Sequence, residues 1–209
     1  MKSNVLSKDN IVVAVLKPDN YEKYAGMLAS FDSVDKSINY VIRKRVDYFR
    51  EKGSLYDNRD TVYLYLFEDP ETNERQLIGY LAFAASSIKT DLNSEDSIVV
   101  PSVVINTFAV SKRFTEKSGF KVDMGDGVFI KCSVYIIEDF FYRMDALSSK
   151  IGLSAVYLFA QQRDAVVKFY CDTCRFVKFT RSNRVWGMQS GALEYSLLRP
   201  LENAKHRGI

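Results

Sequence analysis

The sequence predicts a single domain of mixed α/β (α+β) class covering residues 1–209. Seven short runs rich in β-branched and aromatic residues alternate with four stretches of helical periodicity. No internal repeat, low-complexity tract or interdomain linker separates them. The composition, with 47% hydrophobic and 26% charged residues, provides enough apolar material for a sizeable core.

The first half of the chain predicts a strand, two helices and a hairpin. The apolar run IVVAVL (11–16) is typical of a strand, and the spacing that follows predicts a helix from Asp19 to about Ser30. A second apolar stripe predicts a helix from Asp35 or Ser37 to Lys52. TVYLYLFED and QLIGYLAFAASSI flank the turn-forming DPETNER, so we expect two antiparallel strands at about 61–68 and 76–88.

The second half predicts four more strands and the two remaining helices. Because a proline cannot donate a ladder hydrogen bond, Pro101 favours a strand over Ser102–Val110 only. After a polar, glycine-bearing stretch, the longest helix is predicted at about 127–148. AVYLFA (155–160) is typical of a buried strand, and Asp164 is an expected N-cap for a short helix through about Thr173. FVKFT and LEYSLL are expected to be closing strands.

The hydropathy of the sequence predicts a compartment, whereas its net charge does not identify a binding partner. Lysine and arginine number 29 against 26 acidic residues, and this net charge of +3 neither demands nor excludes a polyanionic partner. No run approaches the roughly 18 apolar residues of a membrane span, and MKSNVLSKDN lacks the apolar core of a signal peptide. We therefore expect a cytoplasmic protein that does not enter a membrane.

The cysteines predict packing rather than metal or redox chemistry. A structural zinc site needs four ligands, and beyond the Cys171-x-x-Cys174 pair the chain offers only Cys132 and His206. A redox pair is expected at a helix start, where the dipole lowers the thiol pKa, but this pair follows a helical pattern. We expect no metal.

Four stretches together resemble the GNAT superfamily of acyl-CoA-dependent N-acetyltransferases, most strongly over residues 77–198. They are LIGYLAFA (77–84), VINTFAV (104–110), MGDGVF (124–129) and AVYLFAQQRDAVVKFY (155–170). The resemblance implies one GNAT-like domain with a central, mostly antiparallel sheet of six or seven strands and about four flanking helices. It also implies that the sheet is splayed between the fourth and fifth strands, and that acetyl-CoA is the acyl donor.

The resemblance also implies a set of site residues. Backbone groups of Phe108, Ala109 and Val110 would pair with the pantetheine arm, the segment Gly125, Asp126, Gly127 and Val128 would hold the pyrophosphate, and Tyr170 would stand near the thioester sulfur. The loop chemistry is independently reasonable, because glycines let N–H groups crowd a phosphate and a helix N-terminus adds about half a positive charge.

The sequence departs from the family pattern in three places. Asp126 puts a carboxylate between the two glycines, which is unfavourable beside a pyrophosphate unless it points outward. The connection after Val110 is long and carries four cations: Lys112, Arg113, Lys117 and Lys121. The usual Gly-Phe after the tyrosine appears one residue late, as Arg175-Phe176.

These observations predict an N-acetyltransferase that moves an acetyl group to a primary amine of a small molecule or protein by direct attack on the thioester. Tyr170 would protonate the leaving thiolate, and no acidic residue can be fixed as general base. The sequence does not identify the amine acceptor, and a homodimer is possible.

Two alternatives remain. The helix at 37–52, the hairpin and AVVKFY are similar to toxin-type GNAT enzymes that acetylate the amino group of aminoacyl-tRNA. A basic surface for tRNA would come from Arg43, Lys44, Arg45, Lys112, Arg113, Arg181 and Arg184. The other alternative is a non-catalytic module on a GNAT fold that binds acyl-CoA or a protein.

Overall fold

The computed structural model describes residues 4–52, 60–89, 99–161, 163–178 and 194–202. Over these residues the strands are β1 (Val5–Ser7), β2 (Ile11–Leu16), β3 (Asp60–Glu68), β4 (Arg75–Lys89), β5 (Val99–Val110), β6 (Lys121–Asp123), β7 (Phe129–Lys131), β8 (Ala155–Gln161), β9 (Val177–Lys178) and β10 (Glu194–Pro200). The helices are α1 (Tyr21–Ala29), α2 (Lys36–Lys52), α3 (Cys132–Ile151) and α4 (Asp164–Lys168), the last continued by a π-helical turn at Phe169–Thr173.

Seven strands form the main sheet in the order β2-β3-β4-β5-β8-β10-β9, and β1, β6 and β7 form a separate three-stranded sheet. The β2–β3, β8–β10 and β10–β9 pairs are antiparallel, whereas β5 and β8 are parallel. This mixed, mostly antiparallel sheet with four helices confirms the predicted fold class. None of the helices in the described ranges has both the length and the hydropathy of a membrane span.

The chain divides into two compact units. The first unit holds the chain up to Ala82 together with Thr107–Ile136, and the second holds Phe83–Asn106 together with the chain from Ile137. The strands β4 and β5 and the helix α3 each run from one unit into the other.

In the first unit, α1 and α2 pack their apolar stripes against strand residues of the sheet. Tyr21, Tyr24 and Leu28 recur at helical spacing and are buried in the same cluster as Ile42 and Val46 of α2. The Tyr21 hydroxyl donates a 2.9 Å hydrogen bond to the Val46 carbonyl and so ties the two helices together. Burial of each such large side chain stabilises the fold by about 1.5–3 kcal/mol.

In the second unit, the core includes buried residues of α3, β4 and β8. Phe83 and Phe140 pack edge to face, with ring centroids 5.0 Å apart, and Tyr157 is fully buried with its hydroxyl 2.6 Å from Ser86 Oγ. The parallel β5–β8 register runs from Ser102–Ala155 to Ile105–Leu158, and β5 then continues to Val110. A strand pair that ends partway along β5 is the pattern that the predicted splay requires.

Several predicted elements are confirmed, namely the strand at 11–16, the hairpin strands and the strand at 155–160. Three predictions are wrong. Asp164 is not the N-cap of α4, because Arg163 takes that position and Asp164 is the first helical residue. The strand expected from Ser102 begins at Val99, because Pro101 lacks only a donor and its carbonyl still accepts a 2.9 Å hydrogen bond from Ser154 N. The helix expected from residue 127 begins at Cys132, because Phe129–Lys131 pairs with β6 as a strand.

Candidate active site

The end of β5 is fixed from the β4 side. Ala109 is buried, Phe108 and Val110 are half-buried, and Ser111 N donates a 2.8 Å hydrogen bond to the Ile78 carbonyl. A Cβ on Gly79 would lie 3.1 Å from the Ala109 carbonyl and would collide with the Ile136 side chain. The three residues expected to meet the pantetheine arm therefore lie on a strand end that is held close to β4.

The segment Gly125-Asp126-Gly127 forms the turn of the β6–β7 hairpin. Met124 N donates to the Val128 carbonyl (2.9 Å) and Val128 N to the Gly125 carbonyl (3.0 Å). All three residues of the turn have positive φ, at 93°, 52° and 75°. Glycine adopts this region freely and aspartate tolerates it better than most residues, which explains the composition of the turn.

The turn does not lead directly into a helix, as the sequence had suggested, because β7 separates it from α3. It keeps other properties of an anion site. It is exposed, a Cβ at Gly125 or Gly127 would meet open space, and no described residue accepts a hydrogen bond from the N–H of Asp126 or Gly127. Lys8 Nζ donates a 3.0 Å hydrogen bond to the Met124 carbonyl and so brings a positive charge to the turn.

The cations that follow β5 differ in their surroundings. Lys112 pairs with Asp32 at 2.9 Å, and this interaction holds the pKa of the Asp32 carboxyl below its usual value. Arg113 lies over the Phe114 ring, 5.7 Å from its centroid, at a cleft of about 220 Å³ that Arg75 and Ser30 also line. Lys112 therefore forms an exposed ion pair, whereas Arg113 lines the cleft.

Tyr170 lies in the second unit on the π-helical turn that follows α4. Cys174 N donates to the Phe169 carbonyl (3.1 Å), and Phe176 N donates to the Tyr170 carbonyl (3.0 Å). A π turn contains one residue more than an α turn, is rare, and occurs frequently at functional sites.

This π turn accounts for the residue by which the chain departs from the GNAT pattern. Arg175 has φ 61°, the left-handed conformation that a glycine ordinarily supplies at the end of a helix, and Phe176 follows it into the core. A π turn holds one residue more than an α turn, which matches the one-residue delay of Arg175-Phe176 relative to the Gly-Phe of the family pattern.

The surroundings of the Tyr170 phenol keep it uncharged. Its ring meets the rings of Phe169 and Phe176 edge to face at 5.1 and 5.6 Å. Burial, with a smaller contribution from Cys174, raises the pKa of the phenol well above its usual value, so the hydroxyl is protonated at neutral pH. Within the described ranges, no group forms a hydrogen bond with this hydroxyl.

The cysteines are structural in position. Cys174 is fully buried and burial raises the pKa of its thiol to about 12, while Cys132 is buried with a pKa near 11 for the same reason. Cys171 is half-buried. Among the described residues, no three His, Cys, Asp or Glu side chains converge as metal ligands. His206, Arg181 and Arg184 lie outside the described residues.

Sequence reasoning missed an ionic cluster beside Tyr170. Arg199 of β10 is buried and donates two hydrogen bonds to Glu138 of α3 (2.8 and 3.1 Å) and one to the Cys174 carbonyl (3.1 Å). Arg175 donates a further 3.1 Å hydrogen bond to Glu138. The available signal was a charged residue inside each of two apolar runs, IIEDFF and SLLRP.

The chain matches solved structures of toxins over nearly its whole length. The AtaTR complex with acetyl-CoA has 18% sequence identity, a TM-score of 0.61, and coverage of 96% of this chain and 99% of that chain. AtaT bound to the C-terminus of the antitoxin AtaR and to acetyl-CoA has 17% identity, a TM-score of 0.59, and coverage of 96% and 99%. The KacTA–DNA complex has 13% identity, a TM-score of 0.60, and coverage of 95% and 98%.

No protein-family model and no curated relative matches the sequence. The sequence identities are too low for a substrate to be assigned to this chain from these structures, but the structures agree on the architecture. The predicted fold, a mixed, mostly antiparallel sheet with flanking helices, is therefore confirmed as the fold of these solved structures.

Proposed function

We propose that the protein is an acetyl-CoA-dependent N-acetyltransferase. The observation that carries the proposal is the Tyr170 hydroxyl, which forms no hydrogen bond with any described residue and stands on a π turn at the position that the GNAT pattern assigns to a proton donor. Acetyl-CoA is bound in structures of the same fold, which supports the choice of donor.

The residues present fit this donor. The backbone of Phe108–Val110 would hold the pantetheine arm, and the turn Gly125–Val128 would hold the pyrophosphate through the N–H groups of Asp126 and Gly127. The other two N–H groups are already engaged, because Gly125 N donates to Asp123 Oδ1 (2.8 Å) and Val128 N to the Gly125 carbonyl. Lys8 offsets part of the negative charge of Asp126 at that turn.

When bound, acetyl-CoA supplies an acetyl group activated as a thioester. The protein then has two tasks. Backbone N–H groups at the end of β5 stabilise negative charge on the carbonyl oxygen during attack by a neutral amine. Tyr170 Oη would give its proton to the sulfur as the C–S bond breaks, because the sulfur leaves more readily as a thiol than as a thiolate, and the phenolate would regain a proton from solvent. The acceptor amine loses a proton to solvent, since no described carboxylate is assigned as base.

A second candidate concerns the acceptor. The matched structures are of toxins, which favours the toxin-type reading in which the amine belongs to aminoacyl-tRNA. Arg43 and Lys44 are exposed on α2 and are available to a phosphate backbone, whereas Arg45 pairs with Asp60.

The test is to incubate the protein with radiolabelled acetyl-CoA and separate pools of tRNA charged with amino acids, proteins and small amines. We expect label in one pool, with transfer lost on omission of the enzyme. Label in the RNA pool alone would select the toxin-type acceptor. Binding of acetyl-CoA without transfer to any pool would favour the non-catalytic module instead. A thermal-shift titration with acetyl-CoA should raise Tm, and no shift at millimolar concentration would contradict the proposal.

A further inference from the structure

A buried arginine on the last described strand contacts the turn that carries Tyr170. Arg199 is 8% exposed, and its Nη1 donates a 3.1 Å hydrogen bond to the carbonyl of Cys174, the residue that ends the π turn. This bond is itself buried, so it is stronger than the same contact would be at the surface.

Glu138 joins this arginine to the residue after the turn. Its two carboxylate oxygens accept hydrogen bonds from Arg199 in the paired geometry that guanidinium and carboxylate groups favour, at 2.8 and 3.1 Å. One of the same oxygens accepts a 3.1 Å bond from Arg175. One carboxylate on α3 therefore holds β10 and the end of the Tyr170 turn together.

Aromatic rings form a second connection between Arg199 and Tyr170. The Arg199 guanidinium lies over the Phe141 ring, 3.9 Å from its centroid. Phe141 and Phe176 meet edge to face at 5.5 Å, and Phe176 meets Tyr170 in the same way at 5.6 Å. The arginine thus acts on the backbone of the turn and, through two rings, on the phenol.

The turn requires such support from outside. The helix before it has five residues, too few to be stable alone, and the turn itself is π-helical and ends in a left-handed arginine. A proton donor must also lie within hydrogen-bond reach of the group it protonates, and a misplacement of about 1 Å can cost about 100-fold in rate.

We propose that Arg199 is a positioning residue for acetyl transfer, which fixes the Tyr170 turn through the Cys174 carbonyl, Glu138 and Phe141. The inference rests on the proposed function, because its effect on rate is exerted through the Tyr170 proton.

The first experiment is a kinetic double-mutant cycle of Arg199→Met with Tyr170→Phe. We expect Arg199→Met to lower kcat about ten-fold at an unchanged KM for acetyl-CoA, and to have less than about a two-fold effect in the Tyr170→Phe background. Arg143→Met is the matched control, because it removes an Arg–Asp ion pair on α3 while the hydrogen bonds of Arg199 to Glu138 and to the Cys174 carbonyl stay in place. It should leave kcat unchanged.

A second variant guards against loss of folding. Arg199→Lys keeps a positive charge beside Glu138, but a single ammonium cannot reproduce the fork that reaches both the carboxylate and the Cys174 carbonyl. We expect it to fold with a melting temperature near that of the wild type and to lose part of kcat.

Hydrogen exchange gives a readout that does not depend on turnover. The amides of Cys174 and Phe176 close the turn, and we expect Arg199→Lys to accelerate their exchange on the order of ten-fold relative to Arg143→Met. Unchanged exchange would overturn the positioning role. Additive losses in the cycle, with an impaired Tyr170→Phe, would overturn this inference alone, whereas full activity of Tyr170→Phe would overturn the proton-donor role as well.

Discussion

Gly79 lies so close to Ile136 that a Cβ at position 79 would displace the Ile136 side chain. A Cβ there would collide with Ile136 Cδ1 and would lie 3.1 Å from the Ala109 carbonyl. The glycine of LIGYLAFA is thus explained by the approach of α3 to β4 and by the position of the β5 backbone, which is the segment expected to bind the pantetheine arm.

Gly79→Ala is expected to destabilise the protein by about 1–3 kcal/mol, because the fully buried Ile136 side chain must move and the Ala109 carbonyl would lie only 3.1 Å from the new methyl group. Gly26→Ala is the matched control. Gly26 lies in α1 with nothing within 4 Å of its Cβ position, so this change should stabilise the protein by about 0.5–1 kcal/mol. Urea unfolding measures both; equal effects would contradict the packing account.

Arg175→Gly is expected to be more stable than Arg175→Ala by about 1 kcal/mol, because only glycine adopts φ 61° without steric cost. Both variants lose the same exposed ion pair with Glu138, so the comparison isolates the backbone. If the two variants had equal free energies of unfolding, the left-handed conformation of Arg175 would not matter to stability.

Asp126→Asn is expected to bind acetyl-CoA several-fold more tightly, because the change removes a repulsion of about 1 kcal/mol from the pyrophosphate turn. Asparagine tolerates positive φ, so the turn is preserved. A short acetyl thioester without phosphates provides the control, since its affinity should not change. A parallel gain for both ligands, or none for either, would contradict the assignment of the turn.

The stability of the protein is expected to fall in acid partly through Glu138. Burial alone raises the pKa of this carboxyl, but the hydrogen bonds and charges of Arg199 and Arg175 outweigh burial and hold the pKa below its usual 4.5. A depressed pKa stabilises the fold above pH 4.5, and this stabilisation is lost as the pH falls through and below that value.

Glu138→Gln serves to measure this contribution. The difference in free energy of unfolding between wild type and Glu138→Gln should be largest near pH 6–7 and should shrink as the pH falls toward 3. A difference that stayed constant over this range would show that the carboxylate charge contributes nothing to the fold.

The local patterns in the sequence were sufficient for most of the fold. IVVAVL is a run of six apolar residues and forms β2, and the DPETNER turn joins β3 to β4 as expected. The β6–β7 hairpin was missed because strands of three residues are too short to show a period. The predicted start of α3 was therefore too early.

The site was less accessible from the sequence. The delay of Arg175-Phe176 by one residue was visible, but a π turn depends on tertiary support and cannot be distinguished by pattern from a loop insertion. Likewise, Glu138 and Arg199 are 61 residues apart, so their pairing depends on how α3 and β10 pack. The roles of Tyr170, Phe108–Val110 and Gly125–Val128 stay predictions.

Tyr170→Phe tests the central claim most directly. It removes only the proton that the account assigns to the leaving thiolate, and Tyr142→Phe, a change at an exposed tyrosine of α3, is its control. With the acceptor found by labelling, Tyr170→Phe should lower kcat about 100-fold or more at an unchanged affinity for acetyl-CoA. Equal turnover by wild type, Tyr170→Phe and Tyr142→Phe would contradict the account.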